Sequence, residues 1–215
     1  GIAAGLALSG KIPFVSSYAT FNPGRNWDQI RVSICYSKAN VKIMGAHAGI
    51  SVGPDGATHQ ALEDIAITRV LPNMTVIAPS DYEETRKATL ALAKLNGPAY
   101  MRFSKSKLPV ISTKETPFKI GRAETYYEGK DVVVVACGPM VYEALLAAKQ
   151  LKGKISVMVI NSHTIKPLDK NAIISAAKKT GAVVTAEEHQ VTGGLGSAVA
   201  ELLAETIPVP MERVG

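Results

Sequence analysis

Short apolar runs with the look of buried strands alternate with stretches of helical periodicity, and that alternation constrains this chain more than any other feature. Ile12–Ser17 reads as a strand, Trp27–Ala39 as a helix, Val41–Ala46 as a strand, Ala61–Thr68 as a short helix and Thr75–Ala78 as a strand. Ser80 and Asp81 can cap a helix over Tyr82–Lys94, and Ala99–Phe103 reads as a further strand. Strands joined through helices wind right-handed and lie parallel, with the helices covering the sheet. Lys107–Phe118 breaks the rhythm with Pro109, Pro117 and polar residues, and reads as a linker. A second series follows: strand Val132–Ala136, helix Val141–Leu151, strand Ile155–Ile160, helix Asp169–Lys179, strand Ala182–Glu187, helix Gly196–Ala204 and the strand-like Pro208–Val214. The expected architecture is α/β, with two consecutive domains, each a mostly parallel sheet flanked by helices. Their expected bounds are 1–106 and 119–215, with 107–118 between them.

Bulk properties narrow the function. A chain of 215 residues with 47% hydrophobic content can build one large α/β domain or two small ones. No apolar run is long enough for a membrane span, no signal peptide is visible, and no membrane association is expected. Cys35 and Cys137 both lie inside apolar runs, as buried free thiols would, which fits a reducing cytoplasm. The net charge of +6 comes from scattered lysines with no interleaved aromatics, so nucleic acid is not the expected partner. Local positive charge at Arg102, Lys105 and Lys107 suits an anionic small molecule. The chain starts at Gly1 inside a helix-like run and stops at Gly215 after a strand-like one, so it reads as a fragment.

The segment Met44–Gln60 is the richest in chemistry. It follows a strand and carries four glycines, two histidines and Asp55. Open α/β sheets build their sites at the carboxyl ends of strands. Glycines let a ligand approach the backbone, and histidines bind hydroxyls or move protons near neutral pH. A Gly-rich loop can also simply turn, and Asp55-Gly56 is a common turn pair. Tyr18, Phe21 and Trp27 cluster after the first strand, in a chain with 6% aromatic residues. They could stack on a flat heterocycle or pack a core.

The ordered motifs Tyr18-Ala19-Thr20-Phe21, Trp27-Asp28-Gln29-Ile30-Arg31, His47 through His59-Gln60, Leu62-Glu63-Asp64, Leu71-Pro72-Asn73 and Pro79-Ser80-Asp81 resemble transketolase. Glu187-Glu188-His189 and Gly193–Ala198 resemble that family's third domain, so the resemblance covers nearly the whole chain. Pro23-Gly24-Arg25-Asn26-Trp27 is most similar to the C-terminal subunit of prokaryotic two-subunit forms. The resemblance implies a pyrimidine-binding domain truncated at its N-terminus, then the transketolase C-terminal domain truncated at its end. It implies thiamine diphosphate as cofactor, with Mg²⁺ or another divalent ion held by a partner. That partner would be the N-terminal, diphosphate-binding subunit, in an assembly built on a homodimer or a heterotetramer. The implied reaction transfers a two-carbon ketol unit between sugar phosphates.

Residue by residue, the resemblance places Tyr18 and Phe21 on the aminopyrimidine ring and His59 near its amine. His47 and His59 become the catalytic pair, and His47, Asp55, Lys105 and Arg102 the substrate contacts. Lys105 stands where the family has an arginine, so it offers a point charge in place of a fork. Arg102 could supply that fork or pair with a carboxylate. The family's catalytic glutamate would lie just upstream of Gly1. No metal ligands are expected here. His163 and His189 read as structural, and Glu187-Glu188-His189 lacks zinc spacing. The Gly193–Gly196 turn could hold an anion at a helix start or merely turn. Other readings are a 1-deoxyxylulose-5-phosphate synthase, which usually lacks a histidine at position 47, a 2-oxoacid dehydrogenase β subunit, whose motifs fit poorly, and a non-catalytic partner that keeps the fold.

Overall fold

The computed structural model describes residues 1–215. Its first sheet has the order β1-β2-β4-β3-β8, formed by Phe14–Tyr18 (β1), Lys42–Ala46 (β2), Thr75–Ile77 (β3), Ala99–Arg102 (β4) and Thr164–Lys166 (β8). The second has the order β10-β9-β6-β7-β5, formed by Glu124–Tyr127 (β5), Val132–Ala136 (β6), Val157–Asn161 (β7), Val183–Ala186 (β9) and Met211–Val214 (β10). In each sheet four strands run parallel and one edge strand runs antiparallel. Crossovers are made by α3 (Asp64–Arg69), α4 (Tyr82–Lys94), α5 (Met140–Gln150), α6 (Lys170–Thr180) and α7 (Leu195–Thr206), with α1 (Ile2–Leu8) leading into β1. No helix is long and apolar enough to cross a membrane. Both cysteines are free and buried.

Most sequence-derived elements are present, with ends moved by one to three residues. Three differences have physical causes. The helix expected over Trp27–Ala39 is α-helical only over Trp27–Gln29 (α2) and widens over Ile30–Tyr36. Ile30, Val32 and Ile34 crowd that stretch, and β-branched side chains lose freedom in a tight α-helix. The helix expected from Ala61 starts only at Asp64, because Ala61 bridges to Ala48 instead. Strands β5 and β8 carry no apolar run that would announce them, since they are Glu-Thr-Tyr-Tyr and Thr-Ile-Lys.

The location of β8 matters for domain organisation. It comes from the second half of the chain yet pairs antiparallel with β3 of the first sheet. The Ala78 N–H donates to the His163 carbonyl at 2.8 Å just beyond the paired strands. Apolar side chains of both halves, among them Ile43, Ile65, Tyr100, Val133, Val135, Met158 and Leu195, form one continuous cluster. Asp81 adds a third tie. Its carboxylate caps α4 at the Glu84 N–H (2.8 Å) and accepts from Ile111 N–H, Ser112 N–H and Ser112 Oγ at 2.6–2.8 Å. The connecting segment is thereby fastened to the first half. Burial alone would raise the Asp81 pKa, but these hydrogen bonds hold it below its ordinary value.

Candidate active site

β1 and β2 run side by side, with Tyr18 opposite Ala46 at their carboxyl ends. The next residue, His47, has a φ of 57°, in the left-handed region. For a residue with a Cβ this conformation costs roughly 1–2 kcal/mol. It leaves the His47 ring stacked on Tyr18, with centroids 4.3 Å apart and planes 12° from parallel. Phe21 lies 6.0 Å from Tyr18, near-parallel at 19°. The His59 ring stands edge-on to both, 5.6 Å from Tyr18 and 5.3 Å from Phe21. The four rings singled out in the sequence therefore meet at one place, where an open α/β sheet builds its sites.

Polar contacts set the histidines. Thr20 Oγ1 donates to the His59 carbonyl at 2.9 Å, and Thr58 Oγ1 pairs with His59 Nδ1 at 2.8 Å. That pairing leaves Nε2 as the nitrogen of His59 available to a ligand. His47 Nδ1 is buried without a hydrogen-bond partner. The Arg25 guanidinium lies 4.5 Å from the Phe21 ring centroid. A flat delocalised group thus already rests on Phe21 at stacking distance, a contact contributing about 0.5–1 kcal/mol when exposed.

Asp55 and Lys105 stand next to each other at the rim. Lys105 Nζ is 3.7 Å from Asp55 Oδ2 and 3.3 Å from the Val52 carbonyl, and both side chains are partly exposed. At 3.7 Å the pair is too long for a hydrogen bond, and Asp55 Oδ2 is buried without a hydrogen-bond partner, so the contact contributes little to stability. It can separate to admit a ligand.

Arg102 requires a correction as a phosphate contact. It is 4% exposed, and its Nε donates to Asp64 Oδ2 at 2.8 Å. Tyr100 OH donates to the same oxygen at 2.6 Å, and Arg102 Nη1 donates to the Glu188 carbonyl at 3.0 Å. Arg102 thus makes the carboxylate pair that was its other reading, with Nε and Nη1 engaged and Nη2 buried without a partner. Burial disfavours the guanidinium charge, but Asp64 outweighs it and raises the pKa further. Tyr100 titrates well above its ordinary value through burial and the Asp64 charge. Gly45 makes room for this cluster, since a Cβ there would run into the Tyr100 ring.

The second half contributes differently from its sequence outline. His163 and His189 are fully enclosed, at 0% and 2% exposure. The N-terminus of α7 is occupied by the chain's own carboxylate: Glu187 accepts from Leu195 N–H at 2.7 Å and Gly196 N–H at 2.8 Å. No group of three or more His, Cys, Asp or Glu side chains is arranged to hold a metal ion. Three residues went unweighed as site components. Asp64 sits in the Leu62-Glu63-Asp64 motif, Tyr100 lies two residues before Arg102 on the same strand face, and Glu188 reaches the histidine loop from the second half. Only the strand alternation at 100 and 102 was a usable signal.

Two mostly parallel α/β units, with an aromatic–imidazole cluster at strand carboxyl ends of the first, define the class: an α/β protein that builds its site where parallel strands end. The chain belongs to the transketolase family, since residues 1–110 match the transketolase pyrimidine-binding domain and residues 121–215 the transketolase C-terminal domain. It is 46% identical, over its whole length, to 67% of a 6-deoxy-6-sulfo-D-fructose transketolase subunit, SqwH, from Clostridium sp.. It is also 46% identical, over 95% of its length, to 65% of a putative transketolase C-terminal section from Methanocaldococcus jannaschii. A solved split-gene transketolase, described as an inactive β4 tetramer, superposes with a TM-score of 0.94 at 49% identity, over the whole chain and 70% of that one. The chain thus spans about two thirds of these relatives.

Proposed function

We propose that this chain is the pyrimidine-binding part of a thiamine-diphosphate transketolase that moves a two-carbon ketol unit between sugar phosphates. Residues 1–106 form the pyrimidine-binding unit, 107–118 the linker and 119–215 the C-terminal unit. An N-terminal subunit supplies the diphosphate site with its Mg²⁺ or other divalent ion, and the active assembly contains at least two copies of this chain. The observation that carries the reading is the convergence of Tyr18, Phe21, His47 and His59 at the carboxyl ends of β1 and β2. Those groups fit a flat heterocycle: Phe21 already stacks a planar cation, and His47 Nδ1 lacks a partner.

Bound thiamine diphosphate supplies the nucleophilic carbon and the electron sink for ketol transfer. The chain's own part is binding, orientation and proton handling. Phe21 and Tyr18 hold the ring by stacking. His59, with Thr58 fixing Nδ1, presents Nε2 to a donor hydroxyl or the cofactor amine. His47 faces the donor hydroxyls. A substrate phosphate draws Lys105 from Asp55, which frees the carboxylate for a sugar hydroxyl.

The test is reconstitution. A full-length version of this chain, mixed with a diphosphate-domain subunit, should give thiamine-diphosphate-dependent turnover of ketose phosphates, whereas residues 1–215 alone should give none. Turnover by the 215 residues alone, or activity only with pyruvate as donor, overturns the reading.

A further inference from the structure

Glu188 belongs to the second half, two residues beyond the end of β9, yet its carboxylate lies in the first half's histidine loop. Its Oε1 accepts the Ser51 N–H at 2.7 Å. Its carbonyl accepts from Arg102 Nη1 at 3.0 Å, so the residue is held on both sides. Gly49, with a φ of 88°, passes directly against the carboxylate, and a Cβ at that position would collide with it. Glu188 Oε2 and Ser51 Oγ are both buried without partners. This is a half-buried polar contact whose one made hydrogen bond falls on the loop between the two histidines, nearer His47 than His59. Docking of the two halves has other supports, since Gln190 N–H donates to the Leu62 carbonyl, Arg69 Nε to the Gly193 carbonyl, and β8 completes the first sheet.

We infer that Glu188 is a positioning residue: by holding Ser51, the C-terminal domain fixes the loop that aims His47 and His59 into the pocket. The other ties of the loop's middle are the buried Val52 side chain, the Gly49 N–H bond to the Ala61 carbonyl, and two long hydrogen bonds of 3.3 Å, from Ser106 Oγ to the Ser51 carbonyl and from Lys105 Nζ to the Val52 carbonyl. Residues Ile50–Asp55 form a short 3₁₀ segment kinked at Gly53, and Gly53 and Pro54 are exposed. A charge-assisted hydrogen bond to a backbone amide is among the stronger single contacts available to such a segment. Without it the histidines keep their chemistry and lose their fixed separation, and misplacement by about 1 Å is enough to cost turnover.

The experiment uses the full-length chain assembled with the diphosphate-domain subunit, and compares Glu188→Ala, Glu188→Asp and Glu188→Gln. Hydrogen exchange of peptides covering 47–60 reads the clasp, and steady-state kinetics read its consequence. Glutamine keeps an acceptor oxygen for Ser51, and aspartate keeps the charge but withdraws the acceptor by one methylene. The alanine and aspartate variants should exchange about tenfold faster or more across 47–60, in line with loss of one strong hydrogen bond. They should lose on the order of tenfold in kcat, with KM for the donor changed less. The glutamine variant keeps the bond without its charge and should fall between the parent and the alanine variant in both readings. Aspartate leaves no large cavity, so its behaviour decides the matter if the alanine variant fails to fold. Unchanged exchange in the aspartate variant overturns the clasp. Faster exchange with unaltered kcat overturns the positioning role, as does a glutamine variant as impaired as the alanine one. The kinetic arm rests on the transketolase reading and the exchange arm does not. An inactive parent assembly therefore refutes that reading, and the exchange arm still decides the clasp.

Discussion

Lys105 and Asp55 define the rim of the pocket, and their separation of 3.7 Å makes a specific kinetic prediction. A group that grips phosphate in ground state and transition state alike changes KM, whereas one engaged only during reaction changes kcat. Lys105→Ala should raise KM for phosphorylated donors and leave turnover of an unphosphorylated donor nearly unaltered. Lys105→Arg should be tolerated, because it restores a bidentate fork. Steady-state kinetics with a matched pair of donors checks this, and equal impairment of both donors would remove Lys105 from phosphate recognition. Phe21→Ala should weaken cofactor binding by roughly 1–3 kcal/mol, from lost burial and stacking. A titration showing unchanged cofactor affinity would place Phe21 outside the ring pocket. The meeting of Tyr18, Phe21, His47 and His59 was expected from the transketolase resemblance; that two motifs each follow a strand put them at strand carboxyl ends but left core packing of the aromatics open. The fate of Arg102 was not legible in the sequence, because a positive charge at a strand end looks the same whether it faces solvent or a buried acid. Its burial follows from sharing a face with Tyr100, and from Asp64, more than thirty residues away in sequence.

Among the secondary-structure elements, α4 shows how local signals and distant contacts combine. Ser80-Asp81 reads as a cap from sequence, and Asp81 is the capping side chain. Glu84 answers it: Oε2 accepts from Ser80 N–H at 2.6 Å, and Oε1 accepts from Asn161 Nδ2 at 2.7 Å. Burial raises the Glu84 pKa above its ordinary value. No sequence pattern announces that the same Asp81 carboxylate would clamp Ile111 and Ser112, because that bond depends on how the linker folds back. Asp81→Ala should therefore cost more than an ordinary cap, about 2–4 kcal/mol in a urea-unfolding experiment. It should also raise protease sensitivity in the 107–118 segment. A loss near 1 kcal/mol with an unchanged cleavage pattern would mean that the linker bonds contribute nothing. Strands β5 and β8 are the elements that sequence reading missed. Both are short antiparallel edges, and period-two patterning gives no strong signal over three or four residues.

For the whole molecule, two series of strands predict two domains, and the structure joins them through a shared apolar cluster and an exchanged strand. His163 sits at this joint. It lies between β7 and β8, its carbonyl accepts the Ala78 N–H, and its ring stacks on Phe118 with centroids 4.4 Å apart. Nδ1 pairs with Thr164 Oγ1 at 2.9 Å, and Nε2 is buried without a partner. Burial pushes its pKa down to about 4, from an ordinary value of 6.5. The folded state therefore holds His163 neutral over a range in which the unfolded chain takes up a proton. As pH falls from about 6.5 towards 4, the unfolded state binds more protons and this residue's contribution to stability is lost. Between pH 7 and pH 5 the loss from this one group is about 2 kcal/mol. Glu84 and Glu187 act oppositely, because their raised values let the folded state take up protons first as pH falls. The quantity to measure is thus a difference between proteins. Unfolding free energies of the parent and of His163→Gln should be determined at both pH values. The variant is less stable at pH 7, where it loses the ring packing on Phe118. Its further loss on going to pH 5 should be smaller than the parent's by about 2 kcal/mol. Parallel pH dependences in the two proteins would show that His163 is not the group that makes the joint between the two halves acid-sensitive.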